Sequence, residues 1–135
     1  MANSAAGSRH LSTHIDRPAK LVYDYASNPA NLPSWAPGLG TSIDEVDGQW
    51  IMDSPMGRIV VAFAPANEFG VLDHHVTVPS GETFYNPMRV MVDGEGSELV
   101  FTLRRLPDMT DEEFQRDADL VLADLRKLRD LLESA

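Results

Sequence analysis

A chain of 135 residues, 43% apolar and 24% charged, has the size and composition of one globular domain, able to bury roughly two-thirds of the surface its unfolded form exposes. It has no cysteine, which excludes disulfides, thiol nucleophiles and thiolate metal sites and fits a reducing compartment, the cytoplasm. A net charge of −10 with no compensating basic cluster repels a phosphate backbone, and neither a membrane-length apolar run nor a signal-peptide layout occurs, so nucleic acid and membrane are not expected partners.

Residues 1–8 are small and polar, with nothing to bury, and read as a flexible tail before a single domain over 9–135. Across 9–15 the residues alternate, with Leu11, Thr13 and Ile15 on one side and His10, Ser12 and His14 on the other, as in a half-buried strand. Asp16 as a cap, Pro18 in the first turn, and Val22 and Tyr25 at helical spacing predict a short helix next. Asn28-Pro29 opens a second, which Pro33 and Pro37 keep short, with Trp35 in the broken stretch. Between Thr41 and Arg105, β-rich runs are punctuated by turn signals at Asp47-Gly48, 54–57, 65–67, 79–81 and 93–96. Such short intervals leave no room for crossover helices, so about six further strands form an antiparallel meander.

The last segment carries the strongest signals. Thr110 and Glu113 make a capping box, with Met109 and Phe114 as the matching hydrophobic staple. Phe114, Ala118, Val121, Leu125, Leu128 and Leu132 then recur at spacings of four and three, and Leu122 widens the stripe, so a long C-terminal helix has one apolar face to bury. Asp111 and Glu112 at its start, and Arg126, Lys127 and Arg129 toward its end, suit the helix dipole. Packing on the sheet is the expected use of that face, and a homodimer through it is the alternative.

The order strand, two short helices, six-strand meander, long helix is that of the α+β helix-grip architecture: a curved, seven-stranded antiparallel sheet wrapped around the C-terminal helix. The stretches Ile15-Asp16-Arg17-Pro18-Ala19-Lys20-Leu21-Val22-Tyr23-Asp24, Asn28-Pro29-Ala30-Asn31-Leu32-Pro33-Ser34-Trp35 and Gly96-Ser97-Glu98-Leu99-Val100-Phe101-Thr102-Leu103 resemble the START-related superfamily of plant pollen allergens, lipid-transfer domains and polyketide cyclases, often labelled SRPBCC. Among its members the sequence looks most like the bacterial ones described as polyketide cyclase/dehydrase-like. The resemblance implies a deep cavity between the concave face of the sheet and the long helix, reached beside the short helices.

The expected occupant is a small apolar or aromatic metabolite, carried or sequestered without a cofactor. Candidate lining residues are Trp35, then Trp50 and Met52 on one face of the third strand, then Tyr85, Met88, Arg89 and Met91 on the sixth. Soft methionines suit a permissive pocket and fill a core equally well. The alternative is a cyclase or dehydratase, in which Tyr85 and Arg89, in one phase, stabilise an oxyanion and His74 or His75 works as acid or base. Only one of the two histidines can face the cavity, because strand neighbours point to opposite faces, and Asp73 shares the face of His75. A third reading is a protein-interaction module whose cavity is filled by side chains. No His-x-x-x-His pattern or compact carboxylate cluster occurs and His14 stands alone, so no metal is expected. Nucleophile-elbow, phosphate-loop and dinucleotide fingerprints are also missing.

Overall fold

The computed structural model describes residues 7–134. Strand β1 (Ser8–Ile15) leads into helix α1 (Ala19–Ala26), a 3-10 turn (Pro29–Asn31) and the single turn α2 (Leu32–Trp35). Strands β2 (Ser42–Val46), β3 (Gln49–Ser54), β4 (Gly57–Phe63), β5 (His74–Thr77), β6 (Thr83–Asn86), β7 (Met88–Asp93) and β8 (Gly96–Arg104) follow, and α3 (Asp111–Glu133) closes the order. All strand pairs are antiparallel, in the orders β1-β8-β7 and β2-β3-β4-β5-β6. No helix among the described residues is long and apolar enough to cross a membrane.

Among the described residues, eight strands in two sheets replace the seven expected in one. The sixth strand divides at Pro87, which has no N–H to donate: β6 pairs with β5, and β7 pairs with β8. The sheets remain joined, since Leu72 N donates to Met88 O (2.8 Å) and Val90 N to Gly70 O (2.9 Å). Gly70 has φ 73°, and a Cβ there would collide with the Val90 carbonyl oxygen, so the close approach requires glycine.

The long β4–β5 connection is held by Asn67. Its Nδ2 donates to Pro65 O and Val71 O (both 3.0 Å), and its Oδ1 accepts from Phe69 N (2.9 Å) and Val71 N (3.0 Å). Its backbone N donates to Tyr23 Oη (2.9 Å), tying the loop to α1.

Several local expectations shift at element ends. Of the expected tail, residues 1–6 lie outside the described residues, while Ser8 already belongs to β1 and Gly7 O accepts from Arg105 N (2.9 Å). Helix α1 begins after Pro18 with no capping side chain, and Asp16, the expected cap, instead donates its backbone N–H to Glu133 Oε2 (2.7 Å). The α3 capping box forms as expected: Glu113 N donates to Thr110 Oγ1 (3.1 Å) and Thr110 N to Glu113 Oε1 (2.9 Å). At the far end Arg126, Lys127 and Arg129 fall short of the last turn, and the cation there is Arg17, which donates to Glu133 O (2.6 Å).

Phe114, Ala118, Leu125, Leu128 and Leu132 of the apolar stripe are buried within the chain, so this face is not free for the expected alternative, a homodimer. Phe114 also lies under two guanidinium groups, Arg9 at 5.2 Å and Arg105 at 5.6 Å from the ring centroid. The helix packs chiefly along β1, with lesser contact to α2 and β8. Strands β4, β5 and β6 make far less contact with the helix than β1 does.

Candidate functional site

Register decides which side chains face inward. Directly paired residues share a face, so Trp50 with Val61, Met52 with Ile59, Phe63 with His74, and Val76 with Phe84 project inward together. Across β7 and β8, Met88 is paired with Phe101 and Val90 with Leu99 on the same interior side.

A cavity of about 340 Å³ lies between this face, α2 and α3, with Trp35, Leu39, His74, Phe101, Val121 and Leu125 in its wall. It adjoins a wider cleft of about 990 Å³ toward β6 and the end of β8, and Leu39, Met56, Asn86, Leu103 and Asp117 border both. The apolar wall carries a few polar groups. His74 is 5% exposed, stacks on Phe63 with centroids 4.9 Å apart, and meets Phe101 edge-on at 6.1 Å. Its Nδ1 lies 3.0 Å from Leu72 O, which places the ring proton on Nδ1 and leaves Nε2 as an acceptor. Burial pushes the His74 pKa down, so the imidazole is neutral at pH 7. Trp35 is 4% exposed, and its indole N–H has no acceptor among the described residues.

Two carboxyls complete the site, and the sequence reading passed over both. Asp117 and Asp124 stand seven residues apart on the cavity side of α3. Burial pushes Asp124 up to about 6, against the opposing pull of Lys127, and also raises Asp117, which Arg116 partly offsets. No lysine or arginine borders the inner cavity among the described residues. The arrangement suits an uncharged molecule: apolar walls, a neutral imidazole acceptor and two carboxyls that burial biases toward the acid form, Asp124 to about 6.

Of the expected site residues, Trp35 and His74 are in the cavity wall. Met52 and Met88 face inward but are fully buried in the core, and Trp50, on the same phase of β3 as Met52, is half-buried and does not border the cavity. His75, Tyr85, Arg89 and Met91 lie on the opposite, convex face, which corrects the expectation that they converge on the interior. Tyr85 and Arg89 do share a phase, but Met88 and Val90 take the inward positions and leave Arg89 and Met91 outside. Tyr85 reaches the rim of the wider cleft while its hydroxyl donates to Asp73 Oδ2 (2.6 Å) and its ring stacks on His75 at 5.0 Å. Asp73 shares the His75 face as expected, yet it holds Tyr85, and its other oxygen accepts from Met88 N (2.9 Å).

Chain pairing also assembles a group that spacing did not reveal. His14 and Glu98 are cross-strand partners, and with Asp93 each offers a metal-ligating atom within 4.8 Å of the others. The group is on the solvent side, where His14 Nδ1 and Asp93 Oδ2 lie 3.1 Å apart.

No protein-family model and no curated protein matches the sequence. Solved structures do match. The crystal structure of Ara h 8.0201 aligns with a TM-score of 0.71 at 12% identity, covering 96% of this chain and 99% of that one. The solution structure of the Aha1 dimer from Colwellia psychrerythraea gives 0.73 at 13% identity, over 94% and 96% of the two chains. DynU16, a protein of the dynemicin biosynthetic locus, gives 0.70 at 13% identity over 93% of this chain and 47% of that one. At such identities the likeness is one of fold. With antiparallel strands curved around α3 and two short helices between the first two strands, the chain has the helix-grip fold, shared with these structures.

Proposed function

We propose that the protein binds a small, largely apolar, uncharged molecule in the cavity between the sheet and α3, as a carrier or sequestering protein. The supporting observation is the cavity of about 340 Å³, within the range of small-molecule sites, bordered by apolar residues and a few polar groups. An interaction module with its interior filled by side chains fits this space poorly. The cyclase or dehydratase reading loses the Tyr85–Arg89 pair to the convex face and keeps one interior histidine, His74. DynU16, which shares the fold, sits in a biosynthetic locus and so associates one helix-grip protein with small-molecule chemistry.

Prodan, a neutral naphthalene ketone whose emission shifts blue on leaving water, tests the proposal. Titration at pH 6 is expected to give a blue-shifted, saturable one-to-one signal. Val121→Trp, which places an indole in the cavity, is expected to weaken binding at least about tenfold, the equivalent of about 1.4 kcal/mol, with an unchanged circular dichroism spectrum. Equal binding by the folded variant, or no saturable binding by the parent protein, would rule the cavity out.

A further inference from the structure

Asp117 and Asp124 occupy the cavity side of α3, where apolar residues would pack at least as well. Neither has a hydrogen-bond or ion-pair partner among the described residues. Asp124 has Leu32 and Trp35 of α2, Phe101 of β8, and Val121 and Leu125 of its own helix among the other residues of the cavity wall. The titratable or charged groups that bear on it are few: Lys127 and Asp117 on α3 itself, and His74 on β5, kept neutral by burial. Helix α2, residues 36–40 and strand β8 bring no charge to the cavity.

The two forms of Asp124 respond differently when a molecule enters. An apolar ligand strips water from the carboxylate and leaves an anion against hydrocarbon, at a cost of several kcal/mol even after relaxation. The carboxylic acid loses far less solvation, and its O–H becomes a donor. Asp124 can make this change near neutral pH, since burial, against the opposing pull of Lys127, holds it at about 6.

We infer that ligand uptake by this cavity is coupled to protonation of Asp124, whose acid form donates a hydrogen bond to an acceptor oxygen of a neutral ligand, so that the protein loads below neutral pH and releases above it. The inference rests on the cavity-binding reading. Well above pH 6, where Asp124 is ionised in the empty cavity, each binding event transfers one proton from solvent to its carboxylate and each release returns it. Raising the pH depletes the binding-competent form, so affinity falls tenfold for each pH unit above about 6, or about 100-fold between pH 5 and pH 8.

Prodan again serves as the probe, because it is neutral across this range and carries one carbonyl oxygen. The dissociation constant of the parent protein is expected to rise about 100-fold from pH 5 to pH 8, while Asp124→Asn, a neutral side chain that keeps a donor, stays within about twofold. Calorimetry at pH 7 in buffers of different ionisation enthalpy is expected to show nearly one proton taken up per prodan bound by the parent protein. A flat pH profile in the parent protein, no proton uptake, or a full slope retained in Asp124→Asn overturns the inference. Binding that is flat with pH yet lost in Val121→Trp would sink the proton coupling and leave the cavity reading standing. Prodan bound at no pH overturns both.

Discussion

Substituting Asp124 by asparagine stabilises the ligand-free protein at neutral pH and not in acid. The carboxyl stands at about 6 in the folded chain against 3.8 in the unfolded one. The folded state therefore binds the proton more tightly. Below pH 3.8 both states are protonated and Asp124 carries no penalty; from there to about pH 6 the unfolded state loses its proton first and stability falls; above that the loss is complete. Two pH units correspond to about 3 kcal/mol as an upper bound, and because the carboxyl still reaches solvent, screening reduces this to about 1 kcal/mol. Asparagine has nearly the same shape and never ionises. Urea denaturation, followed by the fluorescence of Trp35 and Trp50, is expected to show parent and variant equal within about 0.3 kcal/mol at pH 4 and the variant ahead by about 1 kcal/mol at pH 7.5. A difference of the same size at both pH values, or a variant less stable at pH 7.5, refutes the assignment of a partnerless carboxyl to the cavity wall.

Asn67→Ala removes four side-chain hydrogen bonds from the β4–β5 connection and is expected to cost about 2 to 3 kcal/mol in urea denaturation. Asn67→Asp retains the two acceptor bonds and should lose about half as much. On the convex face, His75→Ala and Arg89→Ala are expected to leave prodan affinity within about twofold of the parent at pH 6, less than about 0.4 kcal/mol. A loss of tenfold or more in either would place a convex-face residue in contact with the ligand.

The parts of this fold legible from sequence are those set by neighbours in the chain. The Thr110–Glu113 box and the stripe from Phe114 to Leu132 announce α3 within a few turns, and Asp47-Gly48, with φ of 52° and 81°, makes the hairpin turn its dipeptide signals. What was not legible depends on pairing partners far along the chain. Tyr85 and Arg89 could be assigned a common phase from their spacing, but which phase faces inward is set when Met88 pairs with Phe101 and His74 with Phe63. Alternation said that one of His74 and His75 is interior; only the pairing with Phe63 says which. The division at Pro87 was visible as a missing donor, yet its consequence, two sheets, follows from which strands flank it. His14, Asp93 and Glu98 likewise meet only through cross-strand pairing and the β7–β8 turn.

Asp117 and Asp124 were missed for a different reason. A search for an amphipathic stripe counts apolar positions and treats the residues between them as solvated surface, which holds wherever a helix packs on a sheet along its whole length. Here α3 packs chiefly on β1 and much less on β4, β5 and β6, and the side of the helix flanking the stripe borders a cavity. The informative signal is a pair of acids at i and i+7 beside the stripe, with Val121 and Leu125 between or next to them. Stability alone gives no reason to keep a carboxyl there, since its ionised form has no partner and its desolvation opposes folding at neutral pH. Local rules are broken most often where function requires it. A wall that is apolar except for Trp35, His74, Asn86 and two unpartnered acids is a poor core and a suitable surface for a neutral ligand with a polar end.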